Sequence, residues 1–244
     1  MTYVSFQLIS DALPQYGILT SGYLFQNAAH YRAFMNSDIG NEFKQTVSDE
    51  MGLQLLDVCY LGTRQLNLRE VREVKTPTDL EGVKLRMPGS DSWLFLGEAL
   101  GANPTPLPFS EVYLGLQTGT IDAQDNPLPT VEAAKFYEVT KQIVLTNHLV
   151  DGLTVAVNNQ TWEKLDDSQK AHMVEAAQAS CDWNNKERYA NEDRLVEFFG
   201  SEGLTVSNPN LDAFRSHVQS FYLDSDRAKQ WPEGWVEKIN KLAE

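Results

Sequence analysis

The sequence predicts an α/β protein of two lobes that share one long helix, and two observations support this prediction. Short apolar runs that read as strands alternate with capped helical segments, which is typical of α/β layers with mostly parallel strand pairing. Residues 165–203 read as a helix of about 30 residues, which at about 45 Å is longer than one small domain is wide. The alternative is two helices that break near Asn184 and Asn185.

The elements before residue 165 follow from caps, stops and apolar periodicity. A side-chain oxygen opens a helix, as Ser37 or Asp38 does in 36–52, and a glycine such as Gly52 ends it. The strands are apolar runs between turn residues, and the first of them ends at Gly62. The predicted helices are 36–52, 76–82 (one short turn), 90–101, 109–119 and 132–141. The predicted strands are 53–63, 83–87, 120–128, 142–148 and 153–158.

The long helix has its own start and stop signals. Asp166 and Gln169 have the spacing of a capping box, in which each side chain accepts a hydrogen bond from the backbone of the other residue. No proline interrupts the following stretch until Pro209, and Gly200 and Gly203 supply the end. We therefore infer two lobes with this helix lying across both.

The composition is that of a globular protein with an acidic surface. The 244 residues carry a formal net charge of −14, and no run approaches the roughly 18 apolar residues that suggest a membrane span. This charge disfavours nucleic acids and anionic lipid surfaces, so we predict neither nucleic-acid binding nor direct membrane insertion.

The start, MTYVSFQLISDALPQ, does not read as a secretory signal as it stands, which leaves a cytosolic chain or a leader outside this sequence.

The two cysteines, Cys59 and Cys181, carry no metal-site signature. No CxxC pair or Cys/His cluster is present, and no glycine-rich nucleotide motif, so the sequence predicts no metal site and no cofactor. The run LLDVCYLG around Cys59 is apolar, and we interpret both cysteines as free, buried thiols. A disulfide between them is the alternative.

Arg86 stands where a ligand site is expected. It alternates with apolar residues in the strand 83–87, and Pro88 and Gly89 end that strand just before a helix begins. Ligands of open α/β sheets bind at the carboxyl ends of strands, where the next helix adds backbone donors. The guanidinium would suit a carboxylate held by two hydrogen bonds, and the alternative is a structural ion pair within this acidic chain.

A second strand end carries polar groups. The stretch QTGTIDAQDNPL ends in Gln124, Asp125 and Asn126 before Pro127. If the two strand ends are neighbours, Asn126 offers amide donors beside Arg86. The alternative is a plain turn in which these side chains bond the local backbone.

A long run of residues resembles a known family. The run GANPTPLPFSEVYLGLQTGTIDAQDNPL, followed by KFYEVTK and LTNH, closely resembles the DctP-type solute-binding proteins of tripartite ATP-independent periplasmic (TRAP) transporters, and the resemblance extends from about Leu19 to the final helices. It implies a two-lobed fold like that of periplasmic binding proteins, with hinge strands and one long helix spanning both lobes. It also implies a periplasmic protein that closes around a small organic acid and delivers it to the membrane subunits of the transporter.

The resemblance also assigns ligand-binding residues. The family's carboxylate-binding arginine falls on Arg86, the asparagine of its Gln-x-Asn-Pro turn on Asn126, a second cleft arginine on Arg64, and a ligand-packing aromatic on Phe109. We add Trp93, which follows Arg86 on the next helix, and for which core packing is the alternative. No catalytic and no metal-binding residue is implied.

The resemblance divides the chain into two lobes. Lobe I is expected to comprise 1–62 and 151–190, and lobe II 63–150 and 191–244, with hinge strands near 61–63 and 148–153 and a bend in the long helix. Relative to the family, lobe I lacks two strand–helix units and the signal peptide. A sequence cut short at its start, a degenerate gene, or a lobe completed by another chain would each explain this.

The ligand class follows from two departures. Between Gly101 and His148 the chain is most like the sialic-acid binders, but Gly89 and Leu153 replace an asparagine and a polar amide of those proteins. Both changes remove hydrogen-bond partners, so we hypothesise a less hydroxylated mono-carboxylate: a keto, hydroxy or sugar acid.

Two other classes of function stay open. An enzyme is the first, but none of the four histidines lies in a nucleophile-elbow context, and His148 reads more readily as a packed, hydrogen-bonded histidine than as an acid–base pair with Asp151. A remnant that folds without binding a ligand is the second. Binding without turnover would separate the solute-binding protein from both.

Overall fold

The computed structural model describes residues 1–243, apart from the side chain of residue 193. Within this range seven strands form one sheet in the order β1-β6-β2-β5-β3-β4, and β7 pairs with β6. The strands are β1 (Thr2–Ser5), β2 (Leu53–Leu68), β3 (Lys84–Met87), β4 (Asn103–Pro106), β5 (Ala123–Pro127), β6 (Gln142–Asn158) and β7 (Thr205–Ser207).

Helices cover both faces of this sheet. The α-helices are α1 (Phe6–Ala12), α2 (Ala28–Met35), α3 (Asp38–Met51), α4 (Asp91–Ala99), α5 (Val112–Thr118), α6 (Leu128–Ala133), α7 (Asn159–Trp162), α8 (Asp167–Ser201), α9 (Leu211–Leu223) and α10 (Trp235–Asn240). Short 3₁₀ segments are Pro14–Thr20, Pro77–Leu80, Phe109–Glu111, Phe136–Val139, Ala228–Gln230 and Lys241–Ala243. The α/β prediction is confirmed. None of the helices described is long and apolar enough to cross a membrane.

Two long strands run through the middle of the sheet, and they correct the predicted pairing. β2 and β6 pair antiparallel over nearly their whole length, and β1 and β5 join them antiparallel. Only the β3–β4, β3–β5 and β6–β7 pairs within residues 1–243 are parallel. The prediction of mostly parallel pairing is therefore wrong. The predicted strands 142–148 and 153–158 are one continuous strand, in which Gly152 pairs with Tyr60 of β2. A Cβ on Gly152 would meet Tyr31 and Val58, so this glycine permits close packing here.

β2 also continues past its predicted end. Gly62 has a φ of 134°, and a Cβ at this position would clash with Pro127. The register against β6 shifts between Tyr60 and Gly62, as in a β-bulge. Glycine therefore bends the strand here rather than ending it.

The predicted helix 132–141 is wrong. α6 ends at Ala133, Lys135 adopts a left-handed conformation with φ of 56°, and a 3₁₀ segment follows. The backbone of Ala134 and Lys135 bonds back to α6, so the chain turns where periodicity suggested a continuous helix.

Three apolar cores flank the sheet. The first packs α1, α2, α3 and α10 on β1 and the adjoining parts of β2 and β6. The second packs α4 and α9 against β3, and the third packs α5, α6 and the end of α8. Val144 lies in the second core and its neighbour Ile143 in the third, so these two cores occupy opposite faces of β6. The predicted division into lobe I and lobe II, with boundaries at 62/63, 150/151 and 190/191, stays a prediction. α10, which that division assigns to lobe II, contributes to the first core.

The long helix forms without a break. α8 has 35 residues, with the predicted capping box of Asp166 and Gln169 at its start. Asn185 Oδ1 accepts a hydrogen bond from the Tyr60 amide at 2.7 Å, and Asn184 Nδ2 donates to the Tyr60 carbonyl at 2.7 Å. The two asparagines thus satisfy backbone groups at the bulge in β2 instead of competing with the backbone of their own helix.

The prediction of two free thiols is wrong, because Cys59 and Cys181 form a disulfide. Cys59 lies on β2 and Cys181 on α8, 122 positions later, with Cα atoms 4.5 Å apart. Apolar surroundings suit a buried thiol and a buried disulfide equally well, so the run around Cys59 did not distinguish them.

Candidate functional site

Arg86 is a buried cation with no ion pair among the residues described. It lies on β3, in register with Thr105 on β4 and Gln124 on β5. The residue is 3% exposed, and its Nε donates to the Leu107 carbonyl at 2.8 Å. Burial lowers its pKa to about 10, while Asp125 acts in the opposite direction. The guanidinium therefore stays charged at neutral pH, with both Nη groups free of described partners.

Phe109 forms an aromatic wall beside this cation. The Arg86 Cζ lies 5.9 Å from the centre of the Phe109 ring, within reach of a weak cation–π contact. Phe109 is 50% exposed and stands edge-on to the buried Phe136, which fixes one side of its ring. An exposed aromatic held beside a buried charge can cover the apolar part of a ligand.

Arg64, unlike Arg86, is paired with carboxylates. Its Nε donates to Asp151 Oδ2 at 2.8 Å, and its Nη1 donates to Asp125 Oδ2 at 3.1 Å and to the Asp125 carbonyl at 2.9 Å. Burial opposes its charge, but the two aspartates outweigh burial and raise the pKa of Arg64. Its Cζ lies 4.1 Å from the centre of the Trp93 ring, so the sequence-predicted pair of Arg64 and Trp93 is stacked.

Asn126 belongs to a chain of side-chain amides. It is buried on β5, and its Nδ2 donates to Gln124 Oε1 at 2.6 Å. Gln124 Nε2 in turn donates to Asn67 Oδ1 at 3.1 Å. This is not the local turn that was the alternative, because Asn126 lies within a strand and pairs with Gln65.

The structure divides the five predicted residues between two faces of the sheet. Arg86 is in register with Gln124, which shares the face of Asn126, and Phe109 lies beside Arg86. Arg64 and Trp93 lie on the face of Asp125. Whether any of the five touches a ligand stays a prediction.

Sequence reasoning missed a buried polar cluster on the second face. His148 is fully buried, with Nε2 3.2 Å from Asp125 Oδ2 and Nδ1 2.8 Å from the Thr146 hydroxyl. It pairs with Asp125 rather than with Asp151. The available signal was the run of polar residues from Gln124 to Asn126 inside the predicted strand 120–128; that every position of this strand is buried is known only from the structure.

A groove of about 700 Å³ opens elsewhere on the molecule. Tyr23 and Asn147, both with positive φ, lie on its wall, and Arg215 and Gln219 of α9 face them. None of the five predicted residues lines it. Thr63, the residue before Arg64, does line it, and Asn147 Oδ1 on its wall accepts a hydrogen bond from Gln65 Nε2 at 2.6 Å.

Comparison with known proteins identifies relatives along nearly the whole chain. The family described as DctP, bacterial extracellular solute-binding protein, family 7, matches residues 1–228. The sialic acid-binding periplasmic protein SiaP of Vibrio cholerae is 35% identical over 226 residues, which cover 93% of this chain and 70% of that protein. The 2,3-diketo-L-gulonate-binding periplasmic protein YiaO of Escherichia coli is 32% identical over 193 residues, which cover 79% of this chain and 58% of that protein.

Solved structures match the fold closely. A TRAP periplasmic solute-binding protein from Roseobacter denitrificans, with bound 3-deoxy-D-manno-oct-2-ulosonic acid (KDO), has a TM-score of 0.96 at 48% identity, covering 98% of this chain and 80% of that one. A second from the same organism, with bound L-galactonate, has a TM-score of 0.86 at 25% identity, covering 100% of this chain and 79% of that one. This chain thus spans between 58% and 80% of the length of these four proteins.

Proposed function

This chain belongs to family 7 of the bacterial extracellular solute-binding proteins, the DctP family, and we propose that it binds a small organic acid through its carboxylate. The observation that carries the proposal is the buried guanidinium of Arg86, which has no ion pair within the described part of the chain. A buried charge is costly unless it is paired. A keto, hydroxy or sugar acid would supply the missing anion, and the relatives named above are described with ligands of this class.

Each of the five residues has a distinct role in this proposal. Arg86 holds the carboxylate with its two Nη groups, and Asn126 adds an amide donor from the neighbouring strand. Phe109 covers the apolar face of the ligand. Arg64 and Trp93 support the site from the other face, because the Arg64 charge is already balanced by Asp125 and Asp151.

We further propose that the chain works outside the cytoplasm and carries out no chemistry. The ligand would be released unchanged to the membrane subunits of a TRAP transporter. The lobes would close around it, because a ligand shifts an open–closed equilibrium by its differential affinity for the closed form.

A thermal-shift assay with KDO, L-galactonate and sialic acid tests the proposal. At about a thousand times its Kd, a bound acid adds about 4 kcal/mol to the free energy of unfolding, which raises Tm by several degrees. Arg86→Ala should abolish the shift, since removing one partner of a buried ion pair costs about 3–5 kcal/mol, or more than a hundredfold in affinity. Recovery of unmodified acid from the complex checks that no turnover occurs.

Lys84→Ala is the matched control. Lys84 lies on the same strand two residues earlier, but it is exposed and its Nζ donates only to the Gly119 carbonyl at 3.1 Å. The variant should keep the shift. No shift with any acid, or equal shifts in the wild type and in Arg86→Ala, would contradict the proposal. Tighter binding of sialic acid than of simple hydroxy acids would contradict the narrower hypothesis of a less hydroxylated ligand.

A further inference from the structure

A chain of side-chain hydrogen bonds runs behind Asn126, on the face of the sheet that carries Arg86. Asn126 Nδ2 donates to Gln124 Oε1 at 2.6 Å, and Gln124 Nε2 donates to Asn67 Oδ1 at 3.1 Å. Asn67 Nδ2 then donates to the Thr140 hydroxyl at 2.8 Å. Asn67, Gln124 and Thr140 are all buried, so each group depends on its neighbour in the chain for its hydrogen bonds.

Two backbone carbonyls at the far end fix the direction of this chain. The Thr140 hydroxyl donates to the Phe136 carbonyl at 2.8 Å, so its oxygen is left to accept from Asn67. Asn67 Nδ2 also donates to the Gln142 carbonyl at 3.1 Å. Because a carbonyl only accepts, the amide nitrogen of Asn67 must lie on this side and its oxygen on the side of Gln124.

The fixed direction passes along the chain to Asn126. Since the Asn67 oxygen faces Gln124, the amide nitrogen of Gln124 must face Asn67 and its oxygen must face Asn126. Asn126 then has to direct Nδ2 towards Gln124. A reversed Asn126 amide would place two oxygens against each other, so the chain permits one orientation of this side chain.

Asn126 Oδ1 is therefore left for a ligand, together with the second N–H of the same amide. Asn126 is only 4% exposed, yet its Oδ1 accepts no hydrogen bond from the described residues. Unlike Asp125 Oδ1, it is not sealed from solvent, and neither are the two Nη groups of Arg86. Arg86 and Asn126 project from the same face of the sheet, because Arg86 is in register with Gln124. A cation, a donor and an acceptor are thus open to a ligand on this face.

The amide of Asn126 is suited to two adjacent groups of a ligand. Its N–H and its oxygen belong to one planar unit, so a ligand atom that accepts from the first and a ligand group that donates to the second must be neighbours. A carboxylate oxygen and a hydroxyl on C2 of the acid have this arrangement. A keto oxygen on C2 has no proton to donate and would face Oδ1 as oxygen against oxygen.

We propose that Asn67 and Gln124 are positioning residues that fix the Asn126 amide, so that Asn126 Oδ1 selects acids with a hydroxyl on C2 over acids that cannot donate from that position. The inference rests on the proposed function, because it requires the ligand carboxylate at Arg86. It narrows the ligand class to 2-hydroxy acids, which include sugar acids with this hydroxyl. A site that accepts a hydrogen bond from a hydroxyl rejects the analogue without one, since the buried acceptor then stays unpaired.

Titration calorimetry with L-galactonate and 2-deoxy-2-fluoro-L-galactonate measures this selectivity. Fluorine is close to a hydroxyl in size but has no proton to donate. The fluoro acid should bind the wild type about tenfold to a hundredfold more weakly. If L-galactonate does not bind, KDO and sialic acid, whose ring forms carry a hydroxyl on C2, give the same comparison with their 2-deoxy analogues. Equal affinities within a pair overturn the inference, whereas no binding of any of the three acids overturns the proposed function instead.

Gln124→Met and Asn67→Leu test the positioning. Each variant interrupts the chain, so the Asn126 amide is free to turn and to present Nδ2 to the fluorine. The ratio of the two affinities should therefore fall towards one, whereas a merely structural role would weaken both acids alike and leave the ratio unchanged. A ratio that stays at the wild-type value in both variants overturns the assignment. If neither variant folds, hydrogen exchange in the wild type decides: rapid exchange of both Asn126 Nδ2 protons would overturn it.

Gln65→Met is the matched control. Gln65 is a buried amide on the same strand as Asn67 and lies directly opposite Asn126 in the sheet. Its Nε2 donates to Asn147 Oδ1 at 2.6 Å, and it makes no bond to the chain behind Asn126. This variant loses a buried amide of the same kind, so it should keep the wild-type ratio. A ratio that falls in Gln65→Met as far as in Gln124→Met would mean that any damage to this face removes the selectivity, and it would overturn the assignment.

Discussion

Arg64 and Arg86 are both buried arginines on neighbouring parts of one sheet, and they differ in their ion pairs. Arg64 contacts two carboxylates, whereas Arg86 bonds the Leu107 carbonyl and lies over the ring of Phe109. In the sequence each simply follows an uncharged residue within a strand. The contacts across the sheet therefore distinguish a structural arginine from one that can take a ligand.

Arg64→Met tests the structural part of this distinction. The variant leaves Asp125 and Asp151 buried without their cation, so we expect the free energy of unfolding to drop by about 3–5 kcal/mol at pH 7.5. Without Arg64 the pKa of each carboxyl rises in the folded state. The native state then binds more protons than the unfolded state, and stability is regained as pH falls towards 5.5. Urea unfolding at pH 7.5, 6.5 and 5.5 measures this recovery.

Arg194→Met is the control for Arg64→Met. Arg194 pairs with Glu132 on the surface, at 3.1 Å and half exposed, so its loss should cost less than about 1 kcal/mol. A deficit in Arg64→Met that does not change with pH would mean that the two aspartates are not the cause.

At the scale of elements, α8 is fixed to β2 beside the bulge at Gly62. Asn184 and Asn185 bond the Tyr60 backbone, and Glu192 Oε1 accepts from the Tyr60 hydroxyl at 2.6 Å and from the Thr63 amide at 3.2 Å. The Cys59–Cys181 disulfide adds a covalent tie one residue before Tyr60. The bulge leaves backbone groups of β2 without regular partners, and the side chains of α8 supply them.

Removal of the disulfide should lower stability strongly. The link closes a loop of 122 residues. Without the link the unfolded chain gains conformational entropy, which lowers the free energy of unfolding by about 4–5 kcal/mol. We expect the double variant Cys59→Ser, Cys181→Ser to unfold at a clearly lower urea concentration than the wild type. Wild-type protein in a strong reductant should match the variant. Equal midpoints for oxidised wild type and the variant would show that the tie adds nothing to the contacts of α8.

At the scale of the molecule, two helix-covered regions share β2, β6 and α8. The first core lies at one end of the long strands and the second and third at the other. The groove of about 700 Å³ contacts both regions, through Asn27 and Asn240 on one side and Arg215 and Gln219 on the other. Bending of β2 and β6 would change the separation of these two walls.

Closure of the lobes is the prediction at this scale. If an organic acid binds between the lobes, small-angle X-ray scattering should show a smaller radius of gyration after KDO is added. Arg86→Ala should show no change at the same KDO concentration, because it does not bind the acid. Binding by calorimetry with an unchanged radius would mean that the ligand does not close the lobes.

The sequence by itself determined the α/β class and the long helix with its capping box, and it predicted the residues of the candidate site. These features depend on local signals: apolar periodicity, side-chain caps, and a motif run from Gly101 to His148 in which spacing is preserved. The resemblance carried by that run predicted the family that the comparisons confirm.

Only the tertiary structure decided how the strands pair, whether the two cysteines join, and which buried arginine lacks an ion pair. The sequence predicts separate strands at 142–148 and 153–158, yet Asp151 and Gly152 pair with Gly62 and Tyr60 of β2, so the strand continues through them. The partners of Cys59 and Arg64 lie between 61 and 122 positions away along the chain. Contacts over such separations form only when the sheet brings distant strands together, so no local pattern encodes them.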